Sequence, residues 1–323
     1  MNKDIFVVIE HRQERIADVS YELLTKGYQI AEKLGGEVIA VLLADDGDQM
    51  AQSLKSYADK VLYIRNEIFK NLHSEYYCDA LSSIIGERKP ALILFGHTVD
   101  SFEVAPALAE QLEIPIISNC VDFDIDGDFV RATVPLYGGK INGEYSFNAE
   151  NGGIISVIPG AVKVENPQKS GEIEKIEFTF EKEYDDKEFI EFIEAAAGEI
   201  DITQAEKIVA IGRGVKDEEN IDMIKDFADS IGAVLACSRP IVDAGWLPKE
   251  RQVGSSGKTV KPKLYIALGI SGAFQHISGI KSDTIIAVNK DPNAPIFKVA
   301  HYGIVDDVFK IIPALKAKIE EMK

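Results

Sequence analysis

The chain has 323 residues, of which 46% are hydrophobic and 27% charged, and a formal net charge of −18. That balance belongs to a globular protein, and a length beyond one ordinary core sets two domains as the expectation. So acidic a surface repels nucleic acid and anionic membranes, although it is also the ordinary solvated surface of an acidic protein, and no apolar run approaches the ~20 residues of a bilayer span.

The opening, MNKDIFVVIE, has no signal-peptide layout, so the expected location is cytoplasmic. Ile5 to Ile9 is a β-branched apolar run and reads as a buried strand; Val19 to Leu34 has helical spacing and ends at Gly35-Gly36. Strands follow at Glu37 to Leu43, Val61 to Ile64 and Ala91 to Phe95, with helical stretches at Gln49 to Ala58, Glu75 to Glu87 and Ser101 with Val104 to Leu112. Strands alternating with helices imply a parallel, doubly wound sheet.

From Cys120 to Phe180 short alternating runs broken by Gly and Asn predict added antiparallel strands and hairpins. Glu181 to Gln204, rich in acidic residues and containing AAAG at Ala195 to Gly198, reads as a helix plus connector. The βα alternation then resumes with a strand at Lys207 to Ile211, a helix from Asp217 to Ile231, and strands at Ala233 to Ala236, Leu264 to Leu268 and Thr284 to Val288. A helix from about Asp306 to Glu321, bent near Pro313, closes the chain. The predicted fold class is α/β: two doubly wound, Rossmann-like domains spanning 1–195 and 204–323, with 181–204 between them.

Three places carry candidate chemistry. Leu264 to Leu268 runs into the turn of Gly269, Ser271 and Gly272, and Ala273 to Ile280 can start a helix, so unpaired N–H groups gather as at an anion site. Gln275 and His276 place two polar side chains there, and Asn289, Lys290 and Asp291 end the next strand. Gly212-Arg213-Gly214 also follows a strand, but the third glycine of a dinucleotide fingerprint is absent and a tight turn explains it equally well. Ser238-Arg239-Pro240 ends the strand AVLAC; taken alone, a surface turn is the plainer reading. Cys78, Cys120 and Cys237 are too dispersed for a metal or iron–sulfur site, so redox chemistry would require a bound cofactor.

Taken in order, GRG at Gly212 to Gly214, SRPIVDAGWLP at Ser238 to Pro248, QVGSSGKTVKPKLYIA at Gln252 to Ala267, GISGAFQHISGIKSDTIIAVNKDPNAPIF at Gly269 to Phe297 and HYGIVDDVF at His301 to Phe309 closely resemble the cofactor domain of the electron transfer flavoprotein alpha subunit family. The resemblance implies that the second domain binds FAD. It lays Arg213 along the cofactor, Ser238 at its phosphates and Arg239 on the isoalloxazine face, where a cation favours the reduced, negatively charged ring. It sets the loop Gln252, Val253, Gly254, Ser255 and Ser256 close to the ring, with the Ser256 hydroxyl at flavin N5. Many members carry threonine at this position, and serine keeps the hydroxyl with a less restrained rotamer. Ser271, Gly272, Ala273, Phe274 and Gln275 complete that wall; His276 would donate to the pyrimidine carbonyl, and Asn289 and Asp307 match positions near the adenosine end.

The resemblance further implies a heterodimer, with the first domain docked on a beta subunit, a mobile FAD domain, and an acyl-CoA dehydrogenase as redox partner. It leaves open simple electron transfer and NADH-driven bifurcation involving ferredoxin; Ser256 and the acidic, signal-free chain favour the second. Ile158, in ISVIPGAV, departs from the arginine common before this Pro-Gly. Two other classes stay open on the residues alone: a non-redox, nucleotide-binding regulatory module, and a self-contained flavin or NAD enzyme, for which no second catalytic group is visible beyond His276.

Overall fold

A computed structural model describes residues 2–137, 139–185, 187–191 and 201–321. The chain divides into two compact units, Met1–Glu191 and Phe192–Lys323. The expected helix around Ala195 to Gly198 lies outside the described residues, and the described stretch of 181–191 has no regular secondary structure.

In the first unit, β1 (Ile5–Val8) leads through a small hairpin, β2 (His11–Arg12) and β3 (Arg15–Ile16), into α1 (Asp18–Leu34). The chain continues as β4 (Val38–Ala44), α2 (Asp48–Leu54), β5 (Lys60–Arg65), α3 (Ser74–Arg88), β6 (Leu92–Gly96), α4 (Ser101–Gln111) and β7 (Ile116–Cys120). Every residue of β4, VIAVLLA, is buried, as expected of an inner parallel strand covered on both faces. On α1, Val19, Leu23, Leu24, Ile30 and Ala31 form the buried stripe, and Gly35 at φ 71° ends the helix by giving its N–H to Ala31 O.

The region predicted as wholly antiparallel is only partly so. Strands β8 (Asp122–Asp126), β9 (Phe129–Leu136) and β10 (Ile141–Asn148) form a three-stranded antiparallel sheet. By contrast β11 (Ile154–Val157) and β12 (Glu172–Glu177) return to the main sheet, whose seven parallel strands run β12-β5-β4-β1-β6-β11-β7. The residues explain the split: IISV is apolar and buried throughout, as an interior strand must be, whereas EIEKIE keeps charge at an edge. At the loop that follows β11, where Ile158 stands, the buried Glu22 carboxylate accepts from the N–H groups of Gly160 (2.7 Å) and Val162 (3.3 Å).

The second unit comprises β13 (Lys207–Ile211), α5 (Ile221–Ser230), β14 (Val234–Cys237), α6 (Arg239–Asp243), β15 (Leu264–Leu268), α7 (Phe274–Ile277), β16 (Thr284–Asn289), β17 (Tyr302–Val305) and α8 (Val308–Glu321). Its five strands are all parallel in the order β14-β13-β15-β16-β17. The helix expected from Asp217 starts at Ile221, after a 3₁₀ turn at Glu218–Asn220. The helix expected over Ala273 to Ile280 is a single turn, and α8 runs on through Pro313. Strand β17 and helix α6 escaped prediction because YGIV is short and mostly exposed and α6 is barely one turn. Strand β13 has β14 on one side and β15 on the other, so the winding direction reverses there, and in such sheets ligands bind beyond the carboxyl ends at that point. Among the described residues no helix is long and apolar enough to cross a membrane.

Candidate functional site

A cavity of about 590 Å³ opens at the carboxyl ends of β13, β14, β15 and β16. Each strand delivers one piece of it: Gly212-Arg213-Gly214 after β13, Ser238-Arg239 after β14, Gly269 and Ser271 after β15, and Asn289 at the end of β16. The loop Gln252 to Ser256 and the turn carrying Ala273, Gln275 and His276 close the wall.

The glycines of the first turn act through close packing. A Cβ on Gly214 would stand 2.6 Å from Gly269 Cα, and the Gly214 N–H donates to Gly269 O at 3.0 Å. The turns after β13 and β15 therefore touch backbone to backbone, which leaves the Arg213 side chain exposed at the cavity rim. Ser238 is buried, while Arg239 is exposed and only loosely paired with Asp243 (Nε to Oδ2 3.4 Å), an ion pair of little strength in water. Asn289 donates from Nδ2 to Ile270 O at 2.8 Å and so ties the β15 turn to the end of β16.

Gly254 takes φ 138°, and a Cβ there would stand 2.6 Å from Gln275 O. Next to it the Ser255 N–H donates to that same Gln275 O at 2.7 Å, so loop and helix start are laced together. His276 is buried, and both its ring nitrogens are engaged: Nδ1 lies 3.0 Å from Val253 O and Nε2 2.9 Å from the Tyr265 hydroxyl. Burial pushes its pKa down to about 4, against the smaller opposing effect of the Val253 carbonyl. The imidazole is neutral at pH 7, with the proton on Nδ1, because a carbonyl can only accept.

Of the residues expected at the site, the cavity gathers Arg213, Ser238, Arg239, Gln252, Val253, Gly254, Ser255, Ser256, Ser271, Ala273, Gln275, His276 and Asn289. Three are not in its lining. Gly272 at φ 81° is packed against Ile296, where a Cβ would fall 2.2 Å from the backbone nitrogen. Phe274 is exposed and does not line the cavity. Asp307 caps the start of α8, accepting from Phe309 N–H at 3.1 Å, and pairs with Lys290 at 2.7 Å. Asp291, picked out with Asn289 at the end of β16, also lines the cavity whereas Lys290 does not, and Pro240, Ile270, Ala294 and Pro295 line it without having been expected. DPNAP at Asp291 to Pro295 signals a turn, but turn residues do not say which way the loop folds.

The residues present suit a dinucleotide. Two guanidiniums and the hydroxyls of Ser238, Ser255, Ser256 and Ser271 provide for charged phosphates and ring heteroatoms, and the volume lies in the range of cofactor pockets. The helix dipole contributes little at this turn, since α7 is only four residues long. Cys237, behind the wall, is buried with its thiol pushed up to about 12, so it is no nucleophile.

A doubly wound unit with such a cavity at its switch point defines a nucleotide-cofactor-binding protein. Residues 201–281 match the electron transfer flavoprotein FAD-binding domain and residues 5–181 the electron transfer flavoprotein domain. The electron transfer flavoprotein subunit alpha of Thermoanaerobacterium thermosaccharolyticum is 36% identical over 99% of both chains. That of Bacillus subtilis is 35% identical over 100% of this chain and 99% of its own. The lactate dehydrogenase (NAD(+),ferredoxin) subunit LctC of Acetobacterium woodii is 36% identical over 98% of this chain and 77% of its own. This chain belongs to the electron transfer flavoprotein alpha subunit family, and its second unit is the family's FAD-binding domain.

Proposed function

We propose that this chain, as the alpha subunit of a heterodimer, holds one FAD in the cavity of its second unit and relays electrons between protein partners. Bound there, FAD supplies a ring that takes up and releases electrons one or two at a time. The chain's residues do the rest. Arg213 and Ser238 hold phosphate charge at the strand ends, and Arg239 keeps a positive charge where negative charge arrives on reduction. Ser256 offers a hydroxyl proton to the ring, and the neutral His276 fixes the wall behind it. The observation that carries this reading is the convergence of two guanidiniums and four serine hydroxyls at one switch-point cavity.

The first unit docks on a beta subunit in this reading, and the complex is cytoplasmic. Acyl-CoA dehydrogenase is the redox partner in the simple mode. A relative named as a subunit of an NAD(+) and ferredoxin lactate dehydrogenase supports the alternative, in which NADH and ferredoxin join through the beta subunit and the dehydrogenase need not act on acyl-CoA.

The test is the absorbance spectrum of the chain co-purified with its beta subunit. One FAD per chain, lost in an S238A/R239A variant that still folds, is the expected result; His276 is left intact because its ring holds Val253 and Tyr265 together. A folded, colourless complex that takes up no added FAD would replace this reading with the non-redox nucleotide-binding module.

A further inference from the structure

We propose that Gln252 is a positioning residue whose side-chain amide aims the hydroxyl proton of Ser256 into the cofactor cavity. The inference rests on the reading that the cavity holds FAD with Ser256 beside the ring. Gln252 is only 4% exposed, and its Nε2 donates to Ser256 Oγ at 2.9 Å. An amide side chain so deeply buried needs a partner, and this is the one it has found.

The geometry is built by the backbone. The Gln252 N–H donates to Lys249 O at 2.9 Å, and its carbonyl accepts from Lys258 N–H at 2.8 Å. Between these anchors the loop closes through Gly257 N–H to Gly254 O at 2.9 Å. A Cβ on Gly257 would stand 2.4 Å from Gln252 O and 2.9 Å from Gln252 Cγ, so the turn rests against Gln252 only because residue 257 lacks a side chain. With both backbones fixed, residues 252 and 256 have one place where their side chains meet.

A serine hydroxyl has one proton and two lone pairs. Once a lone pair receives the amide N–H, the proton is left for a different acceptor, and among the described residues the chain supplies none. Ser256 is exposed in the cavity lining, so that proton is directed at whatever fills the cavity. Serine also lacks the β-methyl that narrows the rotamers of threonine; without the amide its hydroxyl would sample all three staggered wells. Gln252 thus supplies the restraint that a β-branched residue would carry within itself. A hydroxyl aimed at a ring nitrogen favours uptake of the first electron, because the arriving negative charge strengthens the hydrogen bond.

The experiment uses the complex with the beta subunit and measures the FAD midpoint potential for the first electron, FAD affinity and thermal stability. S256A and Q252L are expected to lower that potential by similar amounts, and Q252L/S256A to lower it no further. Q252E, whose carboxylate would take the serine proton for itself, should fall at least as far. Q252L/S256T should recover at least half of the loss, a rescue that a merely structural role for Gln252 would not produce. A wild-type potential in Q252L and Q252E with a lowered one in S256A, or additive losses in the double variant, would overturn the proposal. An unchanged potential in S256A, with FAD bound, would instead remove Ser256 from the ring and take the proposal with it. If Q252L does not fold, the isosteric Q252E decides alone.

Discussion

Tyr265 and His276 meet inside the second unit with the phenol oxygen 2.9 Å from Nε2, while Nδ1–H is given to Val253 O at 3.0 Å. The two contacts spend both ring nitrogens within the chain. Donation from His276 to a flavin carbonyl, as the family resemblance implied, would therefore need the ring to exchange one of these partners. What the arrangement provides as it stands is a neutral imidazole that joins β15, the loop at Val253 and the start of α7.

Tyr265→Phe tests this link. The phenol is fully buried and the substitution deletes only its oxygen, leaving Nε2 as a buried acceptor without a donor. A cost of about 1–3 kcal/mol to the second unit is expected. Trp246 is the chain's one tryptophan and lies in this unit, so its fluorescence in urea denaturation of the apo complex reads the loss directly. A midpoint unchanged from wild type would show that Nε2 is not held by Tyr265.

Two buried groups, one in each unit, should make stability depend on pH in opposite directions. His276 has a folded pKa near 4, below its ordinary 6.5, so the folded state binds fewer protons than the unfolded one between these values. Second-unit stability is then complete above about pH 6.5 and lost as pH falls toward 4, by roughly 3 kcal/mol in all. Glu10, after β1, has its pKa raised to about 7, first by burial and further by Asp100, against the hydrogen bond from Thr98 Oγ1 at 2.9 Å. Its folded state holds the extra proton, so its contribution to first-unit stability is greatest below about pH 4.5 and falls as pH rises to 7. Glu10→Gln keeps an acceptor for Thr98 and removes the charge. It should stabilise the first unit by up to roughly 3 kcal/mol at pH 8 and not at all at pH 4.5. Amide exchange in β1 and α1 at the two pH values checks this; an equal gain at both would mean that the carboxyl does not titrate there.

Much of this was legible in the sequence because the signals are local. Apolar runs such as VIAVLLA and LYIAL declare inner parallel strands, and the Gly-Ser turn after LYIAL marks the strand end that lines the cavity. Long-range partnership was not legible. IISV at Ile154–Val157 pairs with β6 and β7, which only the folded sheet decides, so its neighbourhood of hairpins made it look antiparallel. Asp307 matches a family motif, yet locally it is a helix cap, and Lys290 holds it. The polar pair Gln252 and Ser256 lies four residues apart in a loop, where no periodicity announces a contact.

Arg239→Ala should make reduction of the flavin harder while leaving FAD affinity largely intact. The guanidinium is exposed at the cavity and only weakly tied to Asp243, so its removal disturbs little of the fold. A cation over an aromatic ring in a partly dry site contributes on the order of 1–2 kcal/mol, which sets the scale of the fall in midpoint potential. An unchanged potential would take this role from Arg239.

Gly254→Ala should damage the site more than any single polar deletion. The new Cβ would lie 2.6 Å from Gln275 O, and φ 138° is itself costly for any residue with a side chain. Relief requires the loop to part from α7, breaking the bond from Ser255 N–H to Gln275 O. A cost of about 1–3 kcal/mol is expected, with FAD affinity falling tenfold or more in fluorescence titration. Wild-type affinity in the alanine variant would show that the close approach of loop and helix does not shape the cavity.

Three anchors, at Phe180, Tyr184 and Lys187, tie their residues to α3 and its neighbours, and they should rank by kind. Phe180 packs edge-on against Tyr76 and Phe69, with ring centroids 4.7 and 5.7 Å away. Tyr184 gives its N–H to Tyr76 Oη and its hydroxyl to Asp79 Oδ2, each at 2.9 Å. Lys187 reaches Ser74 Oγ, Glu75 Oε1 and Glu103 Oε2 at 2.8 to 3.1 Å. Loss of aromatic packing outweighs loss of one hydrogen bond to a carboxylate, and both outweigh an exposed ion pair. Amide exchange across 178–185 should accordingly quicken most in F180A, less in Y184F and least in K187M. Glu75 adds a pH dependence: burial raises its pKa, but hydrogen bonds from Lys187, from its own backbone N–H and from Ser74 together hold it down to about 2. Its share of the anchoring is therefore present above about pH 4.5 and lost as pH falls toward 2. Fastest exchange in K187M would mean that charge rather than the aromatic ladder secures this segment.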